Sequence, residues 1–95
     1  MSDSNEVWDR IGQLLEFPVD FPIKVMGRRI EGFAQTITDL VSARVPDFDP
    51  RTVELRSSSQ GGWLSITLTV RAPSREVLQS LYTELSAHPM VRVVL

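Results

Sequence analysis

The chain contains no cysteine, one histidine and one lysine. The missing thiols exclude disulfides, zinc thiolate sites, iron–sulfur clusters and thiol catalysis within it. A single histidine, His88, leaves no second imidazole to share a metal and none to serve a nucleophile. No apolar run approaches the roughly 20 residues that a membrane-spanning helix needs. The start, Met1-Ser2-Asp3-Ser4-Asn5-Glu6, is acidic and polar, without the basic and apolar stretches of a secretory signal. The expected location is therefore the cytoplasm, and no membrane partner is expected. A basic excess is also absent: the formal net charge is −2. Nucleic acid is not an expected partner, because non-specific binding to phosphates needs a basic footprint.

What is present is ordinary globular composition, with 42% hydrophobic and 23% charged residues in 95. That length fits one domain. The expected organisation is a disordered tail over residues 1–6 and a single domain over residues 7–95. Val7, Trp8, Ile11, Leu14 and Leu15 fall at helical spacing and predict a short first helix. Phe21, Ile23 and Val25 then alternate with polar or softer residues, predicting a strand that Gly27 ends. Ile30, Phe33, Ala34, Ile37, Leu40 and Val41 recur as one face of a helix that Pro46 stops. Val53 and Leu55 predict a second strand, and Ser57 to Gly62 a polar hairpin loop. In the third strand Leu64, Ile66, Leu68 and Val70 alternate with Trp63, Ser65, Thr67 and Thr69. Ser74 is placed to cap a second long helix, whose stripe is Val77, Leu78, Leu81, Tyr82 and Leu85. Val91, Val93 and Leu95 predict a last strand.

The order is a helix followed by β-α-β-β-α-β. Right-handed crossovers and a central hairpin then predict an α+β, ferredoxin-like two-layer sandwich with an antiparallel sheet in the order 4-1-3-2. Many functions occupy that fold. The pattern places Ile23, Val25, Val53, Leu55, Leu64, Ile66, Leu68, Val70, Val91 and Val93 under the helices. It places Lys24, Met26, Glu54, Arg56, Trp63, Ser65, Thr67, Thr69, Arg92 and Val94 on the open face. Lys24, Met26, Trp63, Ser65 and Val94 are the candidate interaction face, for a partner protein or a homodimer. The competing reading is that the first helix or arginine stems cover it. An RNA-recognition module shares the topology, but one ring on an acidic domain is a poor stacking platform.

Other candidates are weaker. Gly27-Arg28-Arg29 joins a strand to a helix start, where two guanidiniums and free amides can hold an anionic metabolite; solvated arginines are the bland alternative. Ser57 to Gly62 offers amides for an anion or is simply a loop. Asp47 and Asp49 can act as paired carboxylates, but aspartates in turns normally bond local backbone. His88 falls at a helix end, where the dipole favours it. No catalytic residues, metal or cofactor are expected.

One longer pattern has a relative. Leu14-Leu15-Glu16-Phe17-Pro18, Phe21 and Lys24-Val25-Met26-Gly27 resemble the opening of the YbeD family of small bacterial proteins. The resemblance continues through Ser58-Ser59-Gln60-Gly61, Ser65, Leu81-Tyr82, Glu84-Leu85 and the terminal Val91-Arg92, Val94-Leu95. The resemblance implies a ferredoxin-like fold similar to ACT regulatory domains, which bind amino acids at subunit interfaces. It implies a regulatory or ligand-sensing role rather than an enzyme; a protein-interaction adaptor is the alternative. The chain departs from the family pattern in its longer acidic start and in Arg28-Arg29, so an anion site on those arginines does not follow from the resemblance.

Overall fold

Proline spacing, β-alternation and two amphipathic stretches resolve into seven main elements in a computed structural model, which describes residues 3–95, with side chains from residue 6 onward. Helix α1 spans Asp3–Leu14 and strand β1 Val19–Arg28. Helix α2 covers Phe33–Arg44, followed by a 3-10 turn at Pro50–Thr52. Strands β2 (Glu54–Ser57) and β3 (Trp63–Ala72), helix α3 (Arg75–Ala87) and strand β4 (Val93–Val94) complete the chain. The sheet is antiparallel throughout, in the order β2-β3-β1-β4. This is the expected 4-1-3-2 order read from the other edge.

The central pair β1–β3 carries the core. Directly opposed residues of antiparallel strands share a face, and Ile23↔Leu68, Val25↔Ile66 and Phe21↔Val70 all point to the helices. Phe33, Ile37 and Val41 of α2 and Leu78, Leu81 and Leu85 of α3 close over them. Ser74 caps α3 by accepting from the Val77 amide, as expected.

Helix α1 joins the helical layer rather than the sheet's other side. Trp8 meets Tyr82 of α3 edge-on at 5.5 Å between centroids, and Tyr82 meets Phe21 at 6.4 Å. Such T-shaped pairs add about 0.5–1.5 kcal/mol each beyond their burial. Burial pushes the Tyr82 phenol above its ordinary pKa. Arg75 pairs with Asp9 and with Glu76, tying α1 to the start of α3.

Several expectations change. Residues 3–6 of the expected tail are helical, while residues 1 and 2 lie outside the described residues. Val7 and Leu14, assigned to the apolar stripe of α1, are exposed. β1 does not end at Gly27 but runs to Arg28. Ile30 is exposed ahead of α2, because the left-handed Gly32 at φ 85° starts the helix three residues later. Leu55 has the register of an inward residue but is 56% exposed, since β2 is an edge strand beyond the helices' reach.

The last strand is out of phase with the expectation. Val94 opposes Val25 and packs on the core, whereas Val93 opposes Met26 and faces outward, 42% exposed. The reason is local. Val91 is buried where its amide closes a turn onto the His88 carbonyl, and the chain bends at Arg92 before pairing begins. Alternation counted from Val91 therefore arrives at Val93 on the wrong face; a one-residue slip exchanges faces completely.

Surface ion pairs give the fold a pH dependence. A hydrogen bond from Arg44 holds Glu84 below the ordinary carboxylate pKa, and Arg51 does the same for Asp49. Glu76 is lowered by its own backbone amide and then by Arg75. Lowered folded pKa values mean that the stabilisation is complete above the unfolded value and is lost as pH falls through the folded one. Melting temperature should therefore fall on acidification below the usual carboxylate range. In Arg44→Gln the acid-dependent loss should be smaller than in the parent; an identical loss would remove the Arg44–Glu84 pair from the account.

Candidate functional site

The sheet face opposite the helices is uncovered. Trp63 at the start of β3 is 45% exposed, which decides the question of cover by α1 in favour of an open tryptophan. Register assembles its neighbours. Arg28 opposes Trp63 on β1 and stacks its guanidinium carbon 5.4 Å from the indole centroid. One row across the sheet is Arg56, Ser65, Met26 and Val93; the next is Glu54, Thr67, Lys24 and Leu95. Lys24 and Leu95 exchange both backbone hydrogen bonds, so Leu95, 62% exposed, belongs to this face.

The expected set Lys24, Met26, Trp63 and Ser65 is thus brought together, and Val94 leaves it. Val93 and Leu95 replace Val94 and extend the apolar strip across β1 onto β4. Two shallow depressions flank Arg56 and Ser65. One, of about 220 Å³, is lined by Met26, Arg56, Ser57, Ser58, Trp63, Leu64 and Ser65. The other, of about 320 Å³, is lined by Lys24, Glu54, Leu55, Arg56, Ser65 and Thr67.

Gly27, Arg28 and Arg29 do not converge on one point. Gly27 is buried inside β1 beneath the Phe33 ring; an added Cβ would lie 2.4 Å from the Met90 carbonyl oxygen and 2.7 Å from Phe33 Cζ. Arg28 lies over Trp63. Arg29 turns to the β2–β3 loop, where its Nε donates to the Gly61 carbonyl at 2.8 Å and its amide to the Gly62 carbonyl at 3.0 Å. The same loop uses its own amides: those of Trp63 and Gly61 donate to the Ser58 side chain and carbonyl.

Asp49 accepts from the Arg51 amide and guanidinium, capping the 3-10 turn, while His88 Nδ1 accepts from the Met90 amide. Both serve local backbone geometry, and Asp47 is exposed nearby. Among the described residues no three His, Asp or Glu side chains are grouped to hold a metal ion. None of the described helices is long and apolar enough to cross a membrane.

Residues 12–95 match the model of the family described as "Protein of unknown function (DUF493)". The chain belongs to the DUF493 family. Curated relatives carry the name UPF0250, the family that the YbeD resemblance indicated. The chain is 56% identical over 82 residues to the UPF0250 protein of Bordetella pertussis, covering 86% of this chain and 90% of that one. It is 50% identical over 82 residues to the Nitrosomonas europaea protein, covering 86% and 94%. The Paraburkholderia phytofirmans protein is 47% identical over 95 residues, all of both chains. Among solved structures, the ACT domain from the GTP pyrophosphokinase of Chlorobium tepidum superposes with a TM-score of 0.55, at 22% identity, over 81% of this chain and 97% of that one. That likeness shows the fold: this DUF493 chain is an ACT-like, ferredoxin-like sandwich.

Proposed function

We propose that this DUF493 chain is a non-catalytic regulatory domain that acts by binding a partner protein on its open sheet face. The observation that carries the reading is the cluster of exposed Trp63, Val93 and Leu95 around half-buried Met26, left uncovered because α1 packs on α3 instead. Aromatic and methionine side chains grouped this way are typical anchors of protein interfaces. The ACT-like fold supports a regulatory rather than a catalytic role.

A metabolite site at the β1–α2 junction has less support, because Phe33 and Met90 already fill the space over Gly27. The depressions on the open face are shallow, whereas ligand pockets enclose about 70–90% of a small molecule's surface.

Trp63→Ala tests the proposal. The wild-type chain used as bait in native lysate should recover a partner that Trp63→Ala loses, with the two melting temperatures agreeing within about 2 °C, as expected for a surface substitution. Equal recovery by both baits would overturn it. So would a large fall in melting temperature, which would make Trp63 a structural residue.

A further inference from the structure

The open face is positively charged in a chain of net charge −2. Around its apolar strip stand three cationic side chains, Lys24, Arg28 and Arg56, against one acidic side chain, Glu54. Farther along the same face Asp20 and Arg71 neutralise each other at 3.3 Å. The remaining ion pairs of the described residues engage Arg44, Arg51 and Arg75, so Lys24, Arg28 and Arg56 stand outside every one of them. These three charges are exposed: Arg28 opposes Trp63, Arg56 lies in the row of Met26, and Lys24 lies two residues from Met26 along β1.

This arrangement selects among occupants. A second copy laid face to face would oppose three cations with the same three cations, and like charges across an interface are costly. A nucleic acid base needs a free aromatic face, but Arg28 already lies over the indole of Trp63. An acidic peptide with an apolar side chain fits both halves of the surface. Its carboxylates reach the guanidiniums and the ammonium. Its apolar group enters the depression of about 220 Å³ between Trp63 and Met26.

Resting on the partner-binding reading above, we infer that the partner presents an acidic, amphipathic segment, read by Lys24, Arg28 and Arg56 around an apolar anchor point at Trp63 and Met26. Complementary charge of this kind sets specificity and encounter rate.

The probe is a synthetic peptide of glutamates carrying a central leucine and phenylalanine, titrated into the isotopically labelled full chain and followed by nuclear magnetic resonance. The Trp63 indole N–H and the Met26, Arg56 and Ser65 amides should shift. The same peptide with lysine for glutamate should leave them unmoved. Combined Lys24→Gln and Arg56→Gln should weaken the acidic peptide about tenfold, with the melting temperature retained. Raising salt from about 0.1 M to about 1 M, which shortens the screening length from roughly 10 Å to 3 Å, should weaken it similarly. Absence of shifts, equal binding of the lysine peptide, tighter binding of an oligouridylate, or self-association that Trp63→Ala abolishes would each overturn the acidic-partner inference. If capture from lysate depends on Trp63 but not on Lys24 and Arg56, this inference falls and the partner-binding function stands. Capture independent of Trp63 removes the function itself.

Discussion

Phe33→Ala should cost about 3–5 kcal/mol of folding stability, the largest loss expected from a single substitution in this chain. Phe33 is fully buried at the first turn of α2. Its ring lies against Gly27 of β1, so it joins the helical layer to the central strand. Truncation removes the transfer free energy of the ring and leaves a cavity whose walls are backbone on one side. A glycine in a paired strand has no side chain with which to fill it. Domains of this size have about 5–15 kcal/mol in total, so the variant should be marginal. Its melting temperature should fall by roughly 20 °C on the usual scaling for a domain of about 100 residues. Chemical denaturation with an unchanged slope would confirm a loss of stability in the native state. A loss below about 1 kcal/mol, the centre of the distribution for unselected substitutions, would show that α2 can settle onto β1 without the ring.

Gly27→Ala should be nearly as damaging for the opposite reason. The added methyl group would meet the Met90 carbonyl oxygen at 2.4 Å and the Phe33 ring at 2.7 Å. The carbonyl is backbone, held in the chain segment whose next amide but one, that of Arg92, donates to the Met26 carbonyl at 2.8 Å. It cannot rotate away as a side chain would. Overpacking of this kind costs about 1–3 kcal/mol, and a backbone obstacle argues for the upper half of that range. Gly62→Ala supplies the control. Nothing lies within 4 Å of its added Cβ, and its φ is not positive, so stability should change by less than about 0.5 kcal/mol. Combining Gly27→Ala with Phe33→Ala should cost less than the two separate losses, because the methyl can enter space the ring vacates; contacting residues commonly couple by about 0.5–3 kcal/mol. Strict additivity would mean that the Met90 contact alone opposes the methyl.

The two substitutions also bear on the binding face. Gly27 is flanked by Met26 and Arg28, both of which point to the open side of β1. A shift of β1 away from Met90 would move the stacking of Arg28 on Trp63. Partner capture should therefore fall in Gly27→Ala together with stability, in contrast to Trp63→Ala, where only capture should fall.

Much of the architecture was legible in the residues. The aliphatic alternation of Leu64, Ile66, Leu68 and Val70 has only one buried face and therefore one register. The stripe from Phe33 to Val41 and that from Val77 to Leu85 each close against it. Lys24, Met26, Trp63 and Ser65 could be assigned to one face because period-two alternation on two paired strands leaves no other choice. Less was legible where the pattern is degenerate. In Val91-Arg92-Val93-Val94-Leu95 either phase places apolar side chains inward, so alternation could not tell Val93 from Val94. Glycine after a strand signals a turn as readily as a close approach, and at Gly27 the structure has the close approach. Arg28 and Arg29 are adjacent in sequence, yet one belongs to the sheet face and the other to the hairpin loop.

The sequence by itself determined the element order, the strand order, the apolar side of the central strands and the family. These follow from local periodicity, capping and chain connectivity, which every stretch of the chain carries within itself. Only the tertiary structure decided which layer α1 joins, the phase of β4, the cover over Gly27 and hence that Trp63 stands open on a face whose three cations lie outside the ion pairs of the described residues. Each of those is set by contacts between residues far apart in the chain, which local periodicity does not encode: Trp8 against Tyr82, Met90 against Gly27, Leu95 against Lys24.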